Sequence, residues 1–167
     1  NAISLDGETW ATNVIDPVGG WQGGGGYIDG VYLSAGGNGA ARYSTDDGAT
    51  WQPAQTGTSA HRRYVISGED RVIALGDAVN GSDSWVSVTT DGMTWESTLI
   101  EDLELVRGAY GNGVFVAHSA ATASTYDYAF SADGVNWTPI NAFSPNTHLT
   151  SLGFHDGQFI LRSDNSS

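Results

Sequence analysis

Ser44-Thr45-Asp46-Asp47-Gly48-Ala49-Thr50-Trp51 is the stretch whose reading decides the fold. It recurs as Ser4-Leu5-Asp6-Gly7-Glu8-Thr9-Trp10, Thr89-Thr90-Asp91-Gly92-Met93-Thr94-Trp95 and Ser131-Ala132-Asp133-Gly134-Val135-Asn136-Trp137. The order is Ser or Thr, any residue, Asp, Gly, any residue, Thr or Asn, Trp; the copy at 44–51 carries one residue more. The tryptophans are spaced by 41, 44 and 42 residues. A fixed period of that size marks a repeat architecture built from one supersecondary unit.

The flanking residues define the unit. Val31-Tyr32-Leu33, Val72-Ile73-Ala74-Leu75 and Val114-Phe115-Val116-Ala117 are short continuous apolar runs, as expected of strands buried on both faces. The strands before the turns alternate instead. Ile3, Tyr43, Val88 and Phe130 each stand one residue before the Ser or Thr, and Ala41, Val86 and Tyr128 stand two residues earlier, on the same face. Asp29-Gly30, Asn112-Gly113 and Asp156-Gly157 are hairpin turns between first and second strands. Each unit therefore reads strand, tight turn, apolar strand, loop, alternating strand, Trp turn, strand. Gly23 to Gly26 read as loop or the start of a strand. Leu99, Ile100, Leu103 and Val106 have helical spacing, but the repeat makes them a loop and the start of a first strand.

The two ends complement each other. Residues 145–167 supply a first and second strand, and residues 1–13 supply a third strand, its Trp turn and a fourth. Joined head to tail they give a virtual spacing of 40 residues. The expectation is an all-β, single-domain β-propeller over 1–167 with four four-stranded blades, one of them shared between 1–13 and 145–167. Closure of this kind removes free edge strands. The alternative is a fragment or half of a larger propeller.

Composition narrows the partners. There are 19 acidic residues against 6 basic ones, all arginine, for a net charge of −13. That excludes a basic footprint for nucleic acid or an anionic membrane. No run of 18 apolar residues is present, so no membrane insertion is expected. The absence of cysteine removes disulfides, thiol catalysis and Cys-ligated zinc. Twenty-three glycines and 18 aromatic residues fit a turn-rich β protein.

The turn resembles the Asp-box of the sialidase-type, BNR-like repeat β-propellers, and the copy at 44–51 fits that pattern at every position. The resemblance covers nearly the whole chain and implies that the turn joins the third and fourth strands of each blade at the outer rim. An Asp can accept backbone N–H bonds along the turn, Gly tolerates a left-handed conformation, and Trp buries a large ring. Asp6, Trp10, Asp46, Trp51, Asp91, Trp95, Asp133 and Trp137 are accordingly read as scaffold. No cofactor is expected. Calcium is the one ion such Asp-rich turns suggest, and the EF-hand pattern is absent.

Catalysis finds little support. A sialidase-like site needs three clustered arginines, a Tyr–Glu pair and an acid, and the Arg-Ile-Pro signature is missing. His61, His118, His148 and His155 form no metal motif, so no metal site is expected, and no Gly-x-Ser-x-Gly elbow occurs. Aligning the first strands on Tyr27, Ile66, Tyr110 and Phe154 makes Arg63 and Arg107 equivalent, beside a channel. His61, His148, Glu104 and Trp21 fall near the same rim, with Trp21 a candidate stacking platform for a sugar. The expected function is a secreted or cell-surface, non-enzymatic module binding a glycan or a protein, as a monomer or a propeller-completing dimer. A structural or assembly subunit of a larger surface protein is the first alternative, and an extracellular glycosidase the second.

Overall fold

The computed structural model describes residues 2–4, 6–12, 22–78, 83–119, 128–141 and 148–164. Among them are sixteen strands and one short 3-10 turn at Gly37–Gly39. Among the described residues no helix is long and apolar enough to cross a membrane.

Three complete blades follow one another. The first is β3 (Gln22–Ile28), β4 (Val31–Gly36), β5 (Ala40–Ser44) and β6 (Gln52–Gln55), paired in that order. The second is β7 (Arg62–Ser67), β8 (Val72–Ala78), β9 (Ser84–Thr89) and β10 (Glu96–Ile100); the third is β11 (Leu105–Gly111), β12 (Val114–Ser119), β13 (Tyr128–Ser131) and β14 (Thr138–Ile140). All their pairings are antiparallel. Leu99 and Ile100 lie in β10, Leu103 leads into β11 and Val106 lies within it, so the helical spacing there does not produce a helix. The hairpins β15 (His148–His155)–β16 (Gln158–Asp164) and β1 (Ala2–Ile3)–β2 (Ala11–Thr12) are separate two-stranded sheets.

Inner strands pack in sequence, β3 on β7, β7 on β11 and β11 on β15. The first of these approaches is so close that it dictates composition. A Cβ on Gly23 would stand 1.9 Å from the Arg62 carbonyl oxygen, and one on Gly24 would stand 2.9 Å from the Val65 nitrogen. The glycine run is thus a strand selected for backbone contact, not a loop. Asp29-Gly30, Asn112-Gly113 and Asp156-Gly157 all have positive φ at both residues, the two-residue turn that suits the twist of a hairpin.

The core lies between blades. Ile28, Val31, Leu33 and Val72 join the first blade to the second; Ile66, Ile73, Leu75, Leu105 and Phe115 join the second to the third. Trp95, from the turn of the second blade, packs on the first of these clusters, and Trp137, from the turn of the third, packs on the other. Each of these turns therefore fastens its blade to the one before it.

The expected shared blade is not formed among the described residues, since no ladder joins β16 to β1. The physical reason is partly one of length. β1 and β2 have two residues each, so few ladder bonds are available against about 1–2 kcal/mol of backbone ordering per residue. Three blades and two half-blades in an arc fit part of a propeller.

Candidate binding cleft

All four inner strands carry the same irregularity. The register against the neighbouring strand slips once in each, leaving Gly23, Arg63, Val106 and Thr150 as the extra residue of a β-bulge. Bulges bend a strand and re-aim side chains. Three residues beyond the position after each bulge stand Tyr27, Ser67, Tyr110 and Phe154. Ser67, not Ile66, is the equivalent of the three aromatics, so the alignment made on sequence was one residue out in the second blade. Its hairpin turns through Glu69-Asp70, flanked by a Gly68 N–H to Arg71 carbonyl bond of 2.8 Å, and lacks the Asp/Asn-Gly signal that fixes the other three. Consequently Arg63 is equivalent to Val106, and Arg107 to Tyr64. A one-residue slip changes which way a strand residue faces, and the two arginines do not form a pair.

Arg63 projects from its bulge into a cleft of about 280 Å³ between the second and third blades, lined by Arg63, Leu75, Gly76, Asp77, Glu104, Leu105 and Val106. Its guanidinium grips Asp77 at two points, Nε to Oδ1 and Nη2 to Oδ2 at 2.9 Å. The hydrogen bond and then the charge of Asp77 hold the Arg63 pKa above its ordinary value. Glu104 faces the same space. Burial pushes its carboxyl pKa up, and the Asp77 charge adds to the effect. One cation and two carboxylates leave the cleft net negative over an apolar floor.

The other expected site residues lie elsewhere. Arg107 is exposed and donates from Nη1 to the Thr150 carbonyl at 3.3 Å, across to β15. His61 belongs to the joint with the first blade. Its Nδ1 accepts from the Asn38 N–H at 3.0 Å, and its carbonyl accepts from the Asp77 N–H at 2.9 Å. His148 opens β15 opposite Asp164, but its side chain falls outside the described residues, as does Trp21 entirely.

Sequence reasoning missed Arg62, neighbour of Arg63 and fully buried. Nε donates to Ser87 Oγ at 2.8 Å, Nη1 to the Ala60 carbonyl at 3.1 Å, and Nη2 to Thr58 Oγ1 at 2.8 Å and Ser97 Oγ at 3.3 Å. Ser97 Oγ in turn donates to the Thr56 carbonyl. Burial lowers the Arg62 pKa to about 10, partly offset by Asp77, so the group stays charged at neutral pH. A buried cation satisfied by neutral acceptors ties the linker 56–60 to the second blade's outer strands. The missed signal was the Arg62-Arg63 doublet itself: adjacent strand residues tend to face opposite ways, and here one is buried and the other exposed.

The Trp turns are hydrogen-bonded circuits. Asp133 Oδ1 accepts from the Val135 and Asn136 N–H groups at 2.9 and 2.8 Å, and Oδ2 accepts from Asn136 Nδ2 at 2.7 Å. Ser131 Oγ takes the Gly134 N–H at 2.8 Å, and Trp137 Nε1 donates to the Gly134 carbonyl at 3.0 Å. Asp6, Asp46 and Asp91 repeat the pattern with Thr in place of Asn. The Thr50 hydroxyl, the Thr50 N–H and the Ser44 hydroxyl hold Asp46 down at about 2. For Asp91 burial acts upward, but the bonds from Thr94, Met93 and Thr89 prevail and the value also falls to about 2. Every carboxylate oxygen is committed to the turn, which leaves these aspartates as scaffold. Trp51 and Trp95 are half-buried like Trp137, whereas Trp10 is exposed.

No protein-family model matches the chain, and no curated protein matches it. Solved structures do. A structure of YCF48 bound to D1 peptide is 18% identical, with a TM-score of 0.65 over 94% of this chain and 52% of that one. YCF48 from Cyanidioschyzon merolae is 15% identical, with a TM-score of 0.65 over 89% of this chain and 52% of that one. The chain thus spans about half the length of the structures it matches, and its fold is that of a β-propeller.

Proposed function

We propose that the chain is a non-enzymatic, protein-binding propeller unit that takes a peptide segment bearing a basic side chain in the cleft between its second and third blades. The cleft at Arg63, Asp77 and Glu104 carries this reading. It pairs an apolar floor of Leu75, Leu105 and Val106 with a net negative wall, the surroundings that suit a lysine or arginine stem and head. The overall charge of −13 would steer a basic segment toward the molecule. The likeness to YCF48, one structure of which holds D1 peptide, adds support for a peptide as the class of ligand. Arg63 positions Asp77, and Glu104 is the carboxylate left to meet the ligand. In this reading the Trp turns are Asp-boxes in the structural sense of the sialidase-type propellers.

The test is selection from a random peptide library on the 167-residue chain, with a glycan array run beside it. Lysine- or arginine-containing peptides should be recovered and should bind Glu104→Gln at least about tenfold more weakly, the scale of losing one charged contact. Recovered peptides indifferent to Glu104→Gln and Asp77→Asn would refute the site. Array binding abolished by Trp21→Ala, with no peptides recovered, would favour a glycan instead.

A further inference from the structure

Two adjacent arginines act on one carboxylate, and they are held in different ways. Arg62 is fully buried, and its guanidinium is engaged by Ser87, Thr58, Ser97 and the Ala60 carbonyl, so its charge reaches Asp77 through space from a fixed place. Arg63 stands on the bulge of β7 with 60% of its side chain exposed, and it binds Asp77 directly at both carboxylate oxygens. An ion pair this exposed contributes little to stability, because water serves both charges nearly as well.

Asp77 keeps its place without Arg63. Its N–H donates to the His61 carbonyl at 2.9 Å, which extends the pairing of β7 with β8 past Arg62 and Gly76. The buried charge of Arg62 favours the ionised form of Asp77. Nor does the fold call for the pair, since Gly23 and Gly37 hold the same two places in the first blade. Glu104 lines the same cleft and feels the Asp77 charge. Two carboxylates thus stand within electrostatic reach of each other, one of them already carrying a cation.

We propose that Arg63 is a displaceable resident cation: it occupies on Asp77 the position that a second basic side chain of a bound peptide would take, and so limits the cleft to one, at Glu104. The inference rests on the peptide reading of the cleft and adds what sets its selectivity. Freed of Arg63, Asp77 and Glu104 make a pair of carboxylates suited to two cations in one segment.

Fluorescence anisotropy with two labelled peptide pools tests it. One pool carries a single fixed lysine, the other carries two lysines close together, and all other positions are uncharged. The wild-type chain should hold both pools about equally. Arg63→Ala alters an exposed side chain and should stay folded by circular dichroism. It should hold the two-lysine pool at least about tenfold more tightly than the wild type does, the scale of one added charged contact. Asp77→Asn in that background should remove the gain, and Arg63→Lys, which keeps the cation, should show none. Three results would overturn this inference and leave the peptide reading standing: equal binding by Arg63→Ala and the wild type, a gain that survives Asp77→Asn, or a wild type that already prefers the two-lysine pool to the same degree. Binding of neither pool by either the wild type or Arg63→Ala would overturn both.

Discussion

The turns at 131–137 and 4–10 share their Ser, Asp, Gly and Trp and the hydrogen bonds centred on Ser and Asp, yet have different surroundings. Gly134 lies against Ile73 and Val88, and Trp137 packs on the core between the second and third blades. Among the described residues a Cβ on Gly7 would meet nothing within 4 Å, and Trp10 stands out in solvent. The local bonds therefore suffice to shape the turn. What the turn contributes to the fold comes from the apolar surface it buries on the preceding blade. The Trp of this motif is a fastener whose worth depends on having something to fasten.

The sharpest way to break that contrast is to compare the two glycines. Gly134→Ala combines a left-handed φ of +75 with a clash against Ile73, and should cost about 2–4 kcal/mol, the sum of a strained conformation and overpacking. Gly7→Ala meets the same strain at φ +78 with open space around it, and should cost about 1–2 kcal/mol. Denaturant titration of both reads the difference directly. Equal losses would place the energy in the turn's own backbone.

The joint at Arg62 offers a second contrast, between a contact made of polar groups and one made of apolar rings. Arg62→Ala removes the cation from Ser87, Thr58, Ser97 and the Ala60 carbonyl, and should cost about 2–3 kcal/mol. Its bonds are charge-assisted, but the hydroxyls left behind can satisfy one another; Ser87 Oγ and Ser97 Oγ already lie 2.6 Å apart. Thermal unfolding checks it. The adjacent Arg63→Ala, on the exposed side of the doublet, should change stability by less than about 1 kcal/mol, as is usual for surface ion pairs.

The smallest effects are in pH. Asp46 and Asp91 have pKa values lowered to about 2 in the folded chain. A depressed carboxylate contributes stability that is fully present above its unfolded pKa of about 3.9 and is lost as pH falls through the folded value. The melting temperature should therefore fall between about pH 4 and pH 2. Glu104 acts with the opposite sign. Its raised pKa means that the charged form is disfavoured in the folded state, so Glu104→Gln should raise the melting temperature at neutral pH by roughly 1–2 °C.

The repeat was legible because the Trp turn, the Asp/Asn-Gly hairpins and the apolar runs at Val31, Val72 and Val114 all have short-range causes. The strands, their order and the position of the turn between third and fourth strands followed from them. Two things did not. The one-residue bulge in each inner strand has no residue signature, since Gly23, Arg63, Val106 and Thr150 share no chemistry, and the pairing of Arg63 with Arg107 failed on it. The glycine run at 23–26 was ambiguous because its cause, the backbone of β7, lies some 40 residues away in sequence. The cleft brings Arg63 and Glu104, both named from the sequence, together with Asp77, which grips Arg63 and carried no local mark.

Hydrogen exchange by mass spectrometry tests most directly whether a Trp turn draws its stability from the blade it covers. Amides of 131–137 should exchange only with opening of the joint between second and third blades. Amides of 4–10, with the same bonds to Ser and Asp, should exchange through local opening, at least about a hundredfold faster. Equal protection of the two segments would contradict that dependence and return the stability to the turn itself.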